Sequence, residues 1–228
     1  MRAFRAESSR IVSQSDEQLR EMIANYYGMI SLIDHNVGRI LLALQEHGLH
    51  ENTIVVYTSD HGDFLGDHGL YLKGPMAYDG LLRVGMIVVG PGVPRGAVAD
   101  APVSLLDLAA TFFDYAAVSA VGPIHSRSLR PLIEDPTNSR DFALSEWRLN
   151  PSRSGIGLDL RTVRTTTHRL SVDLMSGDGE LYDFTVDPYE LENRWDEPRS
   201  QRVRAELMDM LRSRPDDIRA DRTPVGMA

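Results

Sequence analysis

Apolar residues near the start of the chain recur at helical spacing. Leu19, Met22, Ile23, Tyr26, Tyr27, Ile30, Ile33, Val37, Ile40, Leu41 and Leu44 follow the helical period. The pattern predicts a helix of roughly eight to nine turns. Ser15-Asp16-Glu17-Gln18 opens it, because the Ser15 hydroxyl and the Gln18 side chain can satisfy free amides reciprocally, and Gly48 is a stop signal. The period then changes. A short β-branched run over 53–58 is followed by a glycine-rich stretch, a second apolar run over 84–90 and a turn at Pro91-Gly92-Val93-Pro94. A second amphipathic helix is expected over 103–116. This alternation of helices and apolar strands predicts an α/β fold built on a parallel-sheet layer.

The pattern changes again after about residue 140. Asp159–Thr167 and Arg169–Leu174 read as paired strands joined around His168, and Ser176-Gly177-Asp178-Gly179 is a turn before a strand over 180–184. Arg161, Arg164 and Arg169 alternate along these strands and read as a solvated sheet face. A last helix is expected around Gln201–Leu211, and the polar, proline-containing stretch 214–228 reads as a disordered tail. The expected organisation is therefore 1–140, a small subdomain over 141–213, and the tail.

Composition narrows the function classes. The net charge of −9 argues against non-specific nucleic-acid binding and gives no global steering toward an anion, so any attraction must be local. With no cysteine there are no disulfides or thiolate metal sites. No run of apolar residues is long enough for a transmembrane helix, and Met1–Glu7 lacks the apolar core of a signal peptide, which makes the cytoplasm the default expectation.

The candidate chemistry is concentrated in residues 57–73. The first strand stops at Asp60-His61-Gly62, and in open α/β sheets ligand-binding groups gather beyond the carboxyl ends of strands. A carboxylate beside an imidazole suits a divalent cation of the manganese, zinc or calcium type. Lys73 follows as a point charge within reach of an anion held on that metal. Asp67-His68 reads first as a loop-ordering pair, with His68 a secondary candidate for substrate contact, and Asp63 as a turn residue. Asp34-His35 belongs to the surface or packing of the long helix, and His125 and His168 lie in no partner pattern.

The segment resembles the sulfatase family of the alkaline phosphatase superfamily, which includes arylsulfatases, choline sulfatases and phosphonate monoester hydrolases. Asp60, His61, the Gly62/Gly66/Gly69 loop and Lys73 match that family's fingerprint, and 78–92 matches its following strand and turn, with Gly85 where members usually carry Pro. Glu180-Leu181-Tyr182-Asp183-Phe184, Asp187-Pro188, Glu190, Glu192 and Asn193 resemble its small C-terminal sheet.

The implied fold is the C-terminal part of an alkaline-phosphatase-like mixed or parallel sheet flanked by helices. A small antiparallel β-sheet subdomain with a C-terminal helix would follow it. The implied activity is metal-dependent hydrolysis of a sulfuric ester. The alternatives are a phosphonate monoester or phosphodiester hydrolase portion, or a non-catalytic interaction protein. Asp60 and His61 would ligate calcium, manganese or zinc, and Lys73 would bind and stabilise the ester. The substrate would be a small anionic sulfate, phosphate or phosphonate ester, with neither nucleic acid nor membrane as partner. The family's nucleophile is a formylglycine made from Cys-x-Pro-x-Arg or Ser-x-Pro-x-Arg, and neither motif occurs among the 228 residues. The resemblance thus implies an N-terminal part that supplies it. Without that part, unpaired strand edges near 53–58 and 84–90 would favour self-association.

Overall fold

The computed structural model describes residues 15–149 and 157–216. The chain divides into two compact units: Met1–Ala97, Trp147–Leu160 and Val172–Asp178 form one, and the remaining residues form the other.

In the first unit, α1 runs Asp16–Glu46. Both bonds of its capping box are made: the Gln18 amide donates to Ser15 Oγ at 3.3 Å, and the Ser15 amide to Gln18 Oε1 at 3.0 Å. The helix stops at Gly48, whose φ of +66° suits the left-handed end of a helix. No residue of α1 is buried, and Tyr27, Met29, Leu32, Ile40 and Leu42 are exposed despite being apolar.

Strands β1 (Val55–Thr58) and β2 (Met86–Val89) pair antiparallel, Val55 opposite Val89 and Thr58 opposite Met86. This corrects the expectation of a parallel layer for these two strands. A parallel pair needs a crossover, normally a helix packed on the sheet face. The connection here holds only a short 3₁₀ turn at Asp67–Gly69 and the one-turn helix α2 (Asp79–Leu82), so the chain returns directly alongside itself. The architecture is mixed α/β.

That connection is packed like a core element. Phe64, Leu70, Met76, Ala77, Tyr78 and Leu81 are all buried. Backbone amides of Gly62, Phe64 and Gly66 donate to the carbonyls of Leu81, Leu72 and Leu70 at 2.8, 3.1 and 2.8 Å. Ala77 also joins a cluster with Leu158 and Leu160, against which Leu82, Trp147 and Leu149 pack.

The second unit contains α3 (Asp107–Tyr115), α4 (Arg130–Glu134) and α5 (Gln201–Arg212). Buried Asp107 ties its loops together, accepting from the Arg127 amide at 2.9 Å and from Arg140 Nη1 at 2.5 Å. The chain's larger sheet has the order β3-β4-β5-β6, comprising Ala143–Leu149, Leu158–Arg164, His168–Asp173 and Gly179–Asp183. The predicted strand pair and the turn before β6 are present, with Gly177 at φ +76°. Strand β3 and helix α4 had no clear sequence signal, since neither shows a clean period. Gly179 lies under Trp195, where a Cβ would come within 2.2 Å of the ring, and Arg204 stacks on that indole at 3.7 Å.

The arginines do not form the predicted solvated face. Arg169 is fully buried and Arg161 nearly so. Arg169 Nε sits 2.5 Å from Glu190 Oε1, its Nη1 lies 3.8 Å from Glu180 Oε2, and its guanidinium covers the Tyr182 ring. Arg161 pairs with Glu146. Burial is tolerated because each charge is matched. Arg214, placed in the tail from sequence, also pairs with Glu146, and 217–228 lie outside the described residues. Among the described residues, no helix is long and apolar enough to cross a membrane.

Candidate active site

The end of β1 presents the candidate ligands. Thr58 Oγ1 donates to the Gly85 carbonyl at 2.9 Å, tying the last residue of β1 to the start of β2. Ser59 Oγ donates to the His61 carbonyl at 2.8 Å, and the His61 amide donates to Asp60 Oδ1 at 3.0 Å. These bonds turn the chain sharply and leave the Asp60 carboxylate 85% exposed. The amide bond from His61 is the main cause holding the Asp60 carboxyl below its ordinary value, and the Lys73 charge adds to it.

His61 has a defined tautomer. Its Nδ1 is 2.8 Å from the Gly62 carbonyl, which can only accept, so Nδ1 carries the proton. Its Nε2 is 3.0 Å from Lys73 Nζ and 3.6 Å from Asp60 Oδ2. An ammonium can only donate, so Nε2 presents a lone pair. Asp60, His61 and Lys73 are thus brought together.

Metal-binding histidines characteristically donate their other ring N–H to a carbonyl or carboxylate. The Nδ1–Gly62 bond supplies that arrangement, and Nε2 and the Asp60 carboxylate form a mixed nitrogen–oxygen donor pair. The pair therefore fits two ligands of a divalent cation. Among the described residues, no group of three or more His, Cys, Asp or Glu could complete a site.

His68 is placed differently. Its ring stacks on Tyr78 with centroids 3.7 Å apart and planes 9° from parallel, and Nε2 lies 3.9 Å from Asp67 Oδ2. Those contacts are the ones expected of a loop-ordering residue. Asp63 accepts from the Leu65 amide at 2.9 Å, the turn role its position predicts.

Two features of the site had little or no signal in the sequence. Leu65, His68 and Leu72 adopt positive φ, three of five such non-glycine residues among those described. Leu72 immediately precedes Lys73, so a strained backbone sets the lysine's direction. Tyr78 as the platform for His68 is the other, since nothing in the sequence pairs two residues ten apart in a loop.

The Sulfatase family profile matches residues 3–118, and the profile for the C-terminal region of N-sulphoglucosamine sulphohydrolase matches 66–217. The chain belongs to the sulfatase family. An arylsulfatase of Clostridium perfringens is 33% identical over 180 residues, which make up 77% of this chain and 36% of that protein. The structure of BT4656 in complex with its substrate D-glucosamine-2-N,6-O-disulfate is 28% identical with a TM-score of 0.78, covering 91% of this chain and 44% of that one. The phosphonate monoester hydrolase of Agrobacterium radiobacter is also 28% identical, with a TM-score of 0.76 over 87% of this chain and 42% of its own. This sulfatase-family chain spans about a third of the arylsulfatase's length. The fold expected from the resemblance, a C-terminal portion of the alkaline-phosphatase-like architecture, is the one found.

Proposed function

We propose that this chain carries part of the active site of a hydrolase acting on sulfate esters, with Asp60, His61 and Lys73 as its contribution. The observation that carries the reading is the convergence of His61 Nε2, the Asp60 carboxylate and Lys73 Nζ within 3.0 and 3.6 Å at the end of a strand. Asp60 and His61 Nε2 would hold a divalent cation, which would supply Lewis-acid polarisation of the ester and charge stabilisation. Lys73 neutralises charge developing on the ester's non-bridging or leaving oxygen. The Gly62 carbonyl accepts from His61 Nδ1 and so turns the Nε2 lone pair toward the site. The Asp60 carboxylate, 85% exposed, is open to a cation from solvent.

The nucleophile and the remaining ligands are expected from an N-terminal region carrying Cys-x-Pro-x-Arg or Ser-x-Pro-x-Arg, since neither motif is in this sequence. Packing of such a region against exposed α1 would also remove its apolar surface from water. Supporting the sulfate reading are the matches to an arylsulfatase and to a protein solved with a sulfated glucosamine. The similarly strong match to a phosphonate monoester hydrolase favours a second reading, a phosphonate monoester substrate on the same site.

The test joins this chain to the N-terminal region of a related sulfatase, co-expressed with a formylglycine-generating enzyme. Aryl sulfate turnover lost on Asp60→Ala supports the proposal. Faster turnover of a phenyl phosphonate monoester transfers support to the second reading. The 228-residue chain alone is expected to show no turnover, and metal-dependent activity abolished by Asp60→Ala in that chain would contradict the need for a complementing nucleophile.

A further inference from the structure

We propose that Lys73 is a displaceable internal cation: its ammonium holds the His61 Nε2 lone pair, and a divalent metal takes that lone pair only by moving Lys73 to a second position. This rests on the reading of Asp60 and His61 as metal ligands. It adds a competition that the reading does not contain.

The argument begins with valence. Nδ1 of His61 donates to the Gly62 carbonyl at 2.8 Å, so Nε2 has one in-plane lone pair. Lys73 Nζ is 3.0 Å from Nε2 and uses that lone pair as acceptor. A metal on Nε2 requires the same electrons, so the two cations exclude one another. Electrostatics points the same way. The Asp60 carboxylate, 3.6 Å from Nε2, is an anion shared by whichever cation is present. An ammonium left beside a dication would repel it at short range.

The displaced lysine has somewhere to go. It is exposed and has a flexible four-carbon stem, while the left-handed backbone at Leu72 fixes only where that stem begins. Once released and swung away from the metal, its ammonium is suited to an oxygen of an anionic ester. Without metal, one of the three ammonium N–H donors is spent on His61, and metal loading releases it.

The test uses the 228-residue chain, stripped with chelator, with Zn²⁺ alone as the probe. Solid-state NMR of ¹⁵N-labelled histidine reads the His61 ring whether or not the chain associates, with His61→Gln assigning the signal. Competition with a chromophoric chelator gives the zinc affinity that depends on His61. Lys73→Met keeps the stem but removes charge and donor; Lys73→Arg keeps the charge.

We expect Lys73→Met to move the Nε2 resonance before zinc is added, and to tighten His61-dependent zinc binding about tenfold, whereas Lys73→Arg gives no gain. An Nε2 resonance unmoved by Lys73→Met overturns the proposal, because the lysine is then not on the lone pair. A moved resonance with equal or weaker zinc binding overturns it too, because the lysine does not compete. A moved resonance with no His61-dependent zinc binding in any variant overturns it by removing the metal reading itself, and that pattern is distinct from the others.

Discussion

A Cβ built on Gly62 would lie 2.0 Å from the carbonyl oxygen of Gly80. The two backbones meet because the Gly62 amide donates to the Leu81 carbonyl at 2.8 Å, pulling the residue after His61 against α2. The closest clash is with backbone, so no side-chain rotation relieves it. Gly62→Ala should therefore displace His61 from Lys73 and destabilise the first unit by about 1–3 kcal/mol. Urea denaturation with the His61 NMR signal checks both effects. Gly69→Ala, where nothing lies within 4 Å but φ is +69°, should cost only the backbone strain, about 1 kcal/mol.

In the second unit, Arg169 is entirely buried with Glu190 and Glu180 beside it. Breaking such a pair leaves an under-compensated charge out of water. Arg169→Met should cost about 3–5 kcal/mol by chemical denaturation. A loss below about 1 kcal/mol would mean that the charges are solvated, as the sequence alone suggests.

Acid should loosen the turn between β5 and β6 through Asp173. Burial pushes this carboxyl up, but amide donors from Asp159 and Met175 and the Ser176 side chain outweigh it and hold it below its ordinary 3.8. A carboxylate with a depressed folded-state value stabilises above its unfolded pKa and loses that stabilisation as pH falls through the folded value. Asp173→Asn should cost about 1.5–3 kcal/mol at neutral pH, the range for hydrogen bonds to a charged group. It should also flatten the loss of stability below pH ~4. Melting curves of both proteins at pH 7 and pH 3 give the comparison.

The apolar surface of α1 should make the isolated chain associate. Tyr27, Leu32, Ile40 and Leu42 are exposed on one helix, as are Ile87 and Val89 on β2. Light scattering after size exclusion should show species larger than monomer, shifting toward monomer with Leu32→Gln and Ile40→Gln together. A parent chain that elutes as a cooperative monomer would contradict this.

Local signals in the sequence carried far. Ser15 and Gln18 announced the start of α1, Gly48 its end, and the 60–73 spacing brought Asp60, His61 and Lys73 together because a strand end and a packed loop fix both termini of that segment. What was not legible depends on long-range pairing. The direction of β2 against β1 is set by the absence of a crossover helix within the connection, and apolar runs carry no direction. Arg161 and Arg169 alternate like surface residues, yet their partners Glu146, Glu180 and Glu190 come from other segments and permit burial. The stacking of His68 on Tyr78 likewise arises only once the loop has folded back.

The role of Lys73 in the completed enzyme tests the account most directly. With the complementing N-terminal region present and the enzyme loaded with metal, kcat/KM for an aryl sulfate is measured for the parent and for Lys73→Ala. Loss of one donor to developing oxyanion charge predicts a fall of about a hundredfold, carried mainly by kcat. Turnover of aryl sulfate by Lys73→Ala at the parent's rate would contradict the placing of Lys73 on the reacting ester.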